Sequence, residues 1–287
     1  MAGHLEGDRP GQMKESEEKP VDEQALIVKV DGGLASVVIN RPHRRNALDE
    51  PTIRRLQNVL AGLRGTEVSA LIIAGAGTKA FSAGDDLKAL AARSLSSEPS
   101  NTTYWLELTD QVEELPFPVI AAIEGYCVGG GLELALACDL RIAGSGAVLA
   151  LPEVTLNALP SGGATFRLPR VIGLGRAREM IQFGRRLGAT EAMEWGLVSE
   201  VVQEGRSVER ANEVARWLSG ISRSTSVRAK ALVTFSYSAP SATARYIAAL
   251  ADAIQISSTE FQAGITGFAD RDKANRQAGT PEKGVEE

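Results

Sequence analysis

The sequence predicts an α/β fold whose last part is entirely helical. Short apolar segments typical of buried strands alternate with helical patterns through about the first 200 residues. Beyond Gly220 the strand patterns stop, while helical patterns continue. Alternating strands and helices are typical of a sheet covered by helices. We therefore expect an α/β core over residues 25–220 and a helical region over residues 221–287.

The first 24 residues have a composition of their own. They contain seven acidic and three basic residues, which accounts for −4 of the chain's formal net charge of −5. Because large apolar side chains are almost absent, this segment cannot offset the entropy that is lost on ordering. We predict a disordered acidic tail over residues 1–24. It has no apolar segment of the kind found in signal peptides, so we expect no secretory leader.

The overall composition disfavours several classes of protein. The 287 residues are 44% apolar, which is enough for a sizeable core, and 31 basic against 36 acidic residues give no basic excess for nucleic acid. Charged residues interrupt the long apolar stretches, so no membrane span is expected. Two cysteines without CxxC spacing and only two histidines disfavour a disulfide framework and a metal cluster. We expect a cytoplasmic protein without a bound metal.

Local patterns predict the first elements. Two apolar segments at residues 25–30 and 34–39 flank an Asp-Gly-Gly turn, which predicts a β-hairpin. Pro51 suits an early helical position, so we expect a helix that opens at Asp49–Pro51 and runs to about Leu63. The continuously apolar residues 68–73 predict a buried strand.

The remaining elements follow from the same patterns. Further buried strands are predicted at residues 119–123, 140–143 and 148–151. Helices are predicted at residues 103–115, from the Gly129–Gly131 turn to about residue 137, and at residues 227–235, 242–257 and 260–270. The composition of residues 89–102, rich in Ser and Ala, leads us to expect a mobile lid there.

A triple glycine, Gly129–Gly131, precedes an apolar helix. Unpaired N–H groups at a helix start attract negative charge, and glycine lets a ligand approach the backbone closely. This turn can therefore bind a group that gains negative charge. Close packing between a strand and a helix is the alternative use of these glycines.

Two carboxylates lie in apolar surroundings. Glu133 follows the triple glycine in a helix whose neighbouring residues are apolar, and Glu153 follows a predicted strand through Pro152. A buried carboxylate needs a partner or a chemical role. The alternatives are a first-turn acid favoured by the helix dipole for Glu133, and an exposed acid at a strand end for Glu153.

Backbone donors and two carboxylates together suit one type of chemistry. Forming an enolate from a thioester requires hydrogen-bond donors where the carbonyl oxygen gains charge, and acid/base groups at the neighbouring carbons. This chemistry needs no histidine, metal or redox cofactor, which agrees with the scarcity of histidine and cysteine.

Four motifs in this order resemble those of the crotonase family, the enoyl-CoA hydratase/isomerase superfamily. They are Asn40–Leu48 (NRPHRRNAL), Ala80–Leu87 (AFSAGDDL), Gly125–Leu134 (GYCVGGGLEL) and Pro152–Leu168. Each motif is weak alone, but four at natural spacing are specific, and the resemblance runs from about Ala25 to Gln277. It implies a spiral of ββα units, followed by helices that pack between the subunits of a trimer or hexamer.

The resemblance also implies roles for individual residues. The N–H groups of Ala83 and Gly130 would form an oxyanion hole for the thioester oxygen. Glu133 would position and activate the water that attacks C3, and Glu153 would manage the proton at C2. The implied activity is the reversible hydration of an enoyl-CoA thioester.

Residues that contact the coenzyme A part of the substrate are implied in the same way. Arg44 and Arg45 would meet its adenosine end, and Asp86 and Leu87 would also belong to its binding site. The sequence itself favours a second role for Asp86, as the N-cap of a helix or a turn acid before Leu87. Arg271 would reach the nucleotide phosphate bound by a neighbouring subunit. Coenzyme A enters as part of the substrate, so no separate cofactor is expected.

Other functions stay open. Double-bond isomerisation needs one carboxylate and is the nearest alternative, followed by other lyase or dehydratase reactions of acyl-CoA thioesters. A non-catalytic or RNA-binding homologue would show a basic helix face, which the scattered arginines do not form. A serine hydrolase that uses Ser82 or Ser161 would depend on His43, which lies in the segment implied for coenzyme A.

Two departures from the family pattern bear on the acyl group. Asn157 stands where glycine is frequent, and asparagine tolerates the left-handed backbone. Gly163-Ala164 replaces a pair of glycines, which places a methyl group near the acyl pocket. These changes leave room for branched, cyclic or hydroxylated acyl groups.

Overall fold

A computed structural model describes residues 25–91 and 103–277 of the chain. The predicted acidic tail, most of the predicted lid and the last ten residues lie outside the described residues. In the described part, short strands alternate with helices up to residue 202, and only helices follow.

The strands are β1 (Leu26–Asp31), β2 (Leu34–Ile39), β3 (Ala70–Gly75), β4 (Ala80–Ser82), β5 (Val119–Ile123), β6 (Tyr126–Val128), β7 (Leu140–Gly144), β8 (Val148–Ala150), β9 (Arg186–Gly188) and β10 (Glu200–Val202). The helices are α1 (Glu50–Arg64), α2 (Leu87–Ala91), α3 (Tyr104–Glu113), α4 (Gly130–Ala137), α5 (Ala164–Ile172), α6 (Leu174–Phe183), α7 (Ala189–Glu194), α8 (Ser207–Ser219), α9 (Arg223–Ser238), α10 (Ser241–Ile256) and α11 (Thr259–Gln277).

The predicted elements are confirmed, with small shifts of their ends. β1 and β2 form the hairpin. The side chain of Asp49 caps α1 by accepting the N–H of Thr52 at 3.1 Å. The strand predicted at 68–73 lies at Ala70–Gly75 instead, because its parallel pairing with β2 begins at Ala70, opposite Leu34.

The larger sheet forms one wall of the core. Its strand order is β1-β2-β3-β5-β7-β10, and only the β1–β2 pair is antiparallel. Every residue of β5 is buried, as expected for a strand covered on both faces. Helix α8 covers one face, where Ala211 and Ala215 pack, while the main core lies on the other.

The smaller sheet aligns three of the four motifs. Its order is β4-β6-β8-β9, and β4, β6 and β8 are parallel. The carboxyl ends of parallel strands lie at one edge of a sheet, and Ser82 and Cys127 are paired here, as are Val128 and Ala150. The loops after β4, β6 and β8 therefore emerge side by side, which brings together motifs that are far apart in sequence.

Helices α9, α10 and α11 make up the C-terminal part of the described chain. The helices α9 and α11 cover and extend two of the predicted helices, and α10 matches the third with its ends shifted by one residue. Helix α10 packs against both α9 and α11. None of their described residues is buried, and large apolar side chains stay exposed on all three. Across the described ranges, no helix has both the length and the apolar composition needed to cross a bilayer.

Candidate active site

Helix α4 begins directly against the loop that follows β4. A Cβ on Gly84 would lie 2.7 Å from the Gly130 nitrogen, and one on Gly131 would lie 2.3 Å from the carbonyl oxygen of Ser82. Only glycines allow this approach, so packing is one reason for the triple glycine. The first N–H groups of a helix have no intrahelical acceptor, and the helix dipole favours negative charge there. The same turn can therefore also bind an anion.

The Ala83 amide does not face the start of α4. Its N–H donates to the carbonyl oxygen of Arg45 at 3.0 Å. The ladder continues with the Leu48 N–H donating to the Gly84 carbonyl at 2.8 Å and the Asp86 N–H donating to the Leu48 carbonyl at 2.9 Å. The prediction that Ala83 supplies an oxyanion donor is therefore wrong, because its N–H is already bonded to another segment of the backbone.

Glu133 is buried in the first turn of α4, with 1% of its surface exposed. Its Oε1 accepts the N–H of Ala164, the first residue of α5, at 3.0 Å. Burial raises the pKa of Glu133, and the N–H bonds from Ala164 and Gly162 only partly oppose this effect. The carboxylate is thus held in place in the first turn of α4, with a pKa above that of an exposed glutamate.

Glu153 begins the 3-10 turn Glu153–Leu156, just after β8. Its Oε1 lies 3.4 Å from the position of a Cβ on Gly129, so the carboxylate faces the turn that opens α4. Its Oε2 is buried and has no hydrogen-bond partner among the described residues. Burial, followed by the charges of Glu133 and Asp85, raises the pKa of Glu153 to about 7. This carboxyl group can therefore exchange a proton near neutral pH.

Asp85 is a third acid of the site, and its role was not predicted from the sequence. Its Oδ1 accepts a hydrogen bond from the hydroxyl of Tyr104 at 3.3 Å. Its charge contributes to the raised pKa of both Glu133 and Glu153. The signal in the sequence was the pair of acids in the AFSAGDDL motif, of which Asp85 is the first and Asp86 the second.

Arg167 anchors the loop that holds Glu133, and it too was missed. It is 4% exposed and pairs with Asp110 and Glu113 of α3 at 2.6 Å each. Its Nη1 also donates to the carbonyl oxygen of Gly162 at 3.0 Å. Because Gly162 and Ala164 supply the N–H groups that bind Glu133, Arg167 ties that support to helix α3. Its position near the end of the fourth motif was the only signal in the sequence.

The two arginines predicted to contact the adenosine end of coenzyme A belong to the segment of the first motif. Arg44 and Arg45 are exposed, and the Arg45 guanidinium lies 5.5 Å from the centre of the Tyr126 ring. A groove beside Arg45 is also lined by Thr78 and Lys79, just before β4. Two cations along one groove suit a phosphate group.

The other residues predicted to contact the substrate have different surroundings. Asp86 is 7% exposed, accepts two N–H groups at the start of α2 and lies 3.4 Å from Arg41, so it caps the helix. The helix cap predicted for Asp86 is thus confirmed, and its side chain has this internal role rather than the predicted contact with coenzyme A. Leu87 is half exposed in the first turn of α2, and Arg271 is exposed on α11. The role of Arg271 requires a second subunit and stays a prediction.

Two local features complete the site. Asn157 has a φ of 55°, so the left-handed backbone predicted for it is confirmed. In the described ranges, no three His, Cys, Asp or Glu side chains are arranged to hold a metal ion. The site thus consists of the buried Glu133 and the partly buried Glu153 and Asp85 beside the N-terminus of a helix.

Known proteins share this arrangement of motifs. The family model for "Enoyl-CoA hydratase/isomerase" matches residues 29–278. YngF of Bacillus subtilis, whose name describes a candidate enoyl-CoA hydratase/isomerase, is 43% identical over 187 residues, which is 65% of this chain and 72% of YngF. The short-chain-enoyl-CoA hydratase of Clostridium acetobutylicum is 37% identical over 191 residues, 66% of this chain and 73% of that protein.

A comparison of the fold with solved structures leads to the same family. The crystal structure of an enoyl-CoA hydratase from Bacillus anthracis matches with a TM-score of 0.83 and 36% identity, covering 86% of this chain and 97% of that one. This match confirms the predicted α/β fold of crotonase type. Because the family model also spans most of the sequence, the chain belongs to the enoyl-CoA hydratase/isomerase family, the crotonase superfamily.

Proposed function

We propose that this protein is an enoyl-CoA hydratase, which adds water reversibly across the 2,3 double bond of an enoyl-CoA thioester. The observation that supports this function best is that Glu133, in the first turn of α4, and Glu153, in the turn after β8, both border the turn that opens α4. Hydration needs an acid/base group at each of two carbons, whereas isomerisation can use one carboxylate. The pair therefore favours hydration over the alternatives.

The oxyanion hole is proposed to consist of the N–H groups of Gly130 and Asp85. Leu48 forms backbone hydrogen bonds with Gly84 and Asp86, the residues on either side of Asp85. Because the N–H and C=O groups of a strand point alternately to its two sides, the Asp85 N–H is expected on the side away from Leu48. The start of α4 lies beside this segment, because a Cβ on Gly84 would be 2.7 Å from the Gly130 nitrogen, and we propose that the Asp85 N–H points into the same space. Two donors from separate elements would then stabilise the charge on the thioester oxygen.

The two glutamates divide the proton transfers. Glu133, in its ionised form, takes a proton from water as the water oxygen bonds to C3, and the electron pair of the double bond moves toward the thioester oxygen. Glu153, in its protonated form, then donates its proton to C2 as the enolate returns to a thioester. The product gains one water molecule, and proton exchange with solvent restores both glutamates. The pKa of about 7 for Glu153 suits this exchange.

The groove at Arg45 and Lys79 is proposed to bind the phosphates of coenzyme A, with Arg44 nearby. Coenzyme A is therefore part of the substrate, and the mechanism uses no other cofactor. Both cysteines are buried free thiols, which is consistent with the cytoplasmic location we propose.

We also propose that the chain assembles as a trimer or hexamer through its C-terminal helices. The exposed apolar side chains on these helices include Val233, Tyr237, Tyr246, Ile254, Ile265 and Phe268. Burying them against other copies would remove apolar area from water. Light scattering should give three or six times 30.4 kDa. Phe268→Glu should reduce this mass, whereas Phe183→Glu on α6 should leave it unchanged. A measured mass of 30.4 kDa for the unmodified protein would contradict the proposed assembly.

The hydration of crotonyl-CoA tests the proposed activity, and its pH dependence tests the roles. The rate constant kcat/KM for hydration should fall above a pH of about 7, because protonated Glu153 is lost there. It should also fall at low pH, where Glu133 becomes protonated. Unchanged crotonyl-CoA, together with conversion of a 3-enoyl thioester to its 2-enoyl isomer, would instead support an isomerase.

A further inference from the structure

Three side chains beside the proposed site have no part in the hydration steps. The carboxylate of Asp85 accepts the Tyr104 hydroxyl at 3.3 Å, and Trp105 follows Tyr104 at the start of α3. The indole ring of Trp105 packs on Gly130, because a Cβ there would lie 2.6 Å from its Cζ2 atom. These groups therefore adjoin the amide that is proposed to bind the thioester oxygen.

The indole nitrogen of Trp105, Nε1, is a buried hydrogen-bond donor. The side chain is 1% exposed, and its Nε1 has no hydrogen-bond partner among the described residues. An indole N–H is a donor only, and a buried donor without an acceptor is costly. The Nε1 atom is bonded to Cε2, which lies 2.9 Å from the same Cβ position on Gly130. A substrate group that accepts this hydrogen bond would remove the cost.

We infer that Asp85, Tyr104 and Trp105 form a polar subsite for a hydroxyl group at C4 of the acyl chain. This inference rests on the proposed function, because it takes Glu133 and Glu153 to flank C2 and C3. A hydroxyl both donates and accepts hydrogen bonds, so it can donate to the Asp85 carboxylate and accept from the Trp105 indole. Position C4 is favoured because it adjoins the carbons served by the two glutamates.

Other acyl groups fit this subsite less well. A methyl group at C4 would leave the indole N–H without an acceptor and would cover the Asp85 carboxylate with apolar surface. A carboxylate would accept from the indole but would lie near three acidic side chains, and like charges at short distance repel. An ammonium group would suit Asp85 but could not accept from Trp105.

Binding measured by calorimetry tests the subsite without turnover. The Glu133→Gln variant serves as the parent, and the probes are crotonyl-CoA and trans-4-hydroxycrotonyl-CoA, whose double bond prevents ring closure. We expect the hydroxylated thioester to bind about 10-fold more tightly, since each satisfied buried group is worth roughly this factor. Adding Trp105→Phe or Asp85→Ala should reduce the ratio of the two affinities to about 1–3.

The control and the outcomes separate the subsite from the activity. Trp217→Phe, on an exposed tryptophan of α8, should leave the ratio unchanged. Equal binding of the two probes, or a ratio unaffected by both subsite variants, would overturn the subsite even if crotonyl-CoA is hydrated. A 10-fold preference that both variants abolish would support it even if no hydration is found, in which case the proposed function alone fails.

Discussion

Glu133→Gln and Glu153→Gln are each expected to lower kcat for the hydration of crotonyl-CoA by about 10²–10⁴-fold, the usual contribution of a general acid or base. Glutamine keeps the size of the side chain and an acceptor oxygen, so the Ala164 N–H that binds Glu133 keeps its partner. What is lost is the ability to take up or release a proton. Stopped assays of product formation at saturating substrate measure the effect.

Matched measurements separate lost chemistry from lost structure. Glu194→Gln, on an exposed acid at the end of α7, should retain the parent rate. The folded pKa of Glu153 is raised above its ordinary value, so ionisation at pH 8 disfavours folding. Glu153→Gln removes this penalty, and its Tm at pH 8 should equal or exceed that of the parent. A near-parent hydration rate in either active-site variant would refute the roles assigned to the two glutamates.

Gly84→Ala is expected to cause the second-largest loss, about 10²–10³-fold in kcat, comparable to the removal of one oxyanion donor. The added methyl carbon would lie 2.7 Å from the Gly130 nitrogen and 2.9 Å from the Val128 carbonyl oxygen. Both contacts are with backbone atoms, so the loop after β4 must move away from the start of α4. That movement would separate the two proposed donors.

A second glycine supplies the control for backbone strain. Gly84 has a φ of 81° and Gly173 has a φ of 80°, but a Cβ on Gly173 would meet nothing within 4 Å. Gly173→Ala therefore introduces the same unfavourable backbone angle without the collision. We expect Gly173→Ala to lower the Tm and to keep kcat. If Gly84→Ala also kept its kcat, the approach of the two loops would have no catalytic importance.

The sequence predicts those parts of the fold that depend on local patterns. The hairpin of β1 and β2 follows from two apolar segments around an Asp-Gly-Gly turn, and the helix α4 follows from a glycine turn before an apolar run. The burial of Glu133 follows from its apolar neighbours. In contrast, β4 and β6 have only three residues each, too few to show a period.

The details of the site that were missed depend on contacts between distant segments. The Ala83 N–H is occupied by the carbonyl oxygen of Arg45, and no pattern around residue 83 reveals this pairing. The environment of Asp85 depends on Tyr104, which follows 19 positions later. Arg167 likewise acts through α3, more than 50 residues away. A local motif identifies which residues are polar, but the tertiary structure decides which of their atoms face the substrate.

The crystal structure of this protein with bound butyryl-CoA, a thioester that cannot be hydrated, would test the central claim most directly. We predict that the thioester oxygen lies within about 3.2 Å of the amide nitrogens of both Gly130 and Asp85, the range of a normal hydrogen bond. The carboxyl groups of Glu133 and Glu153 should lie beside C3 and C2. A thioester oxygen bound elsewhere, or a glutamate turned away from these carbons, would contradict the account.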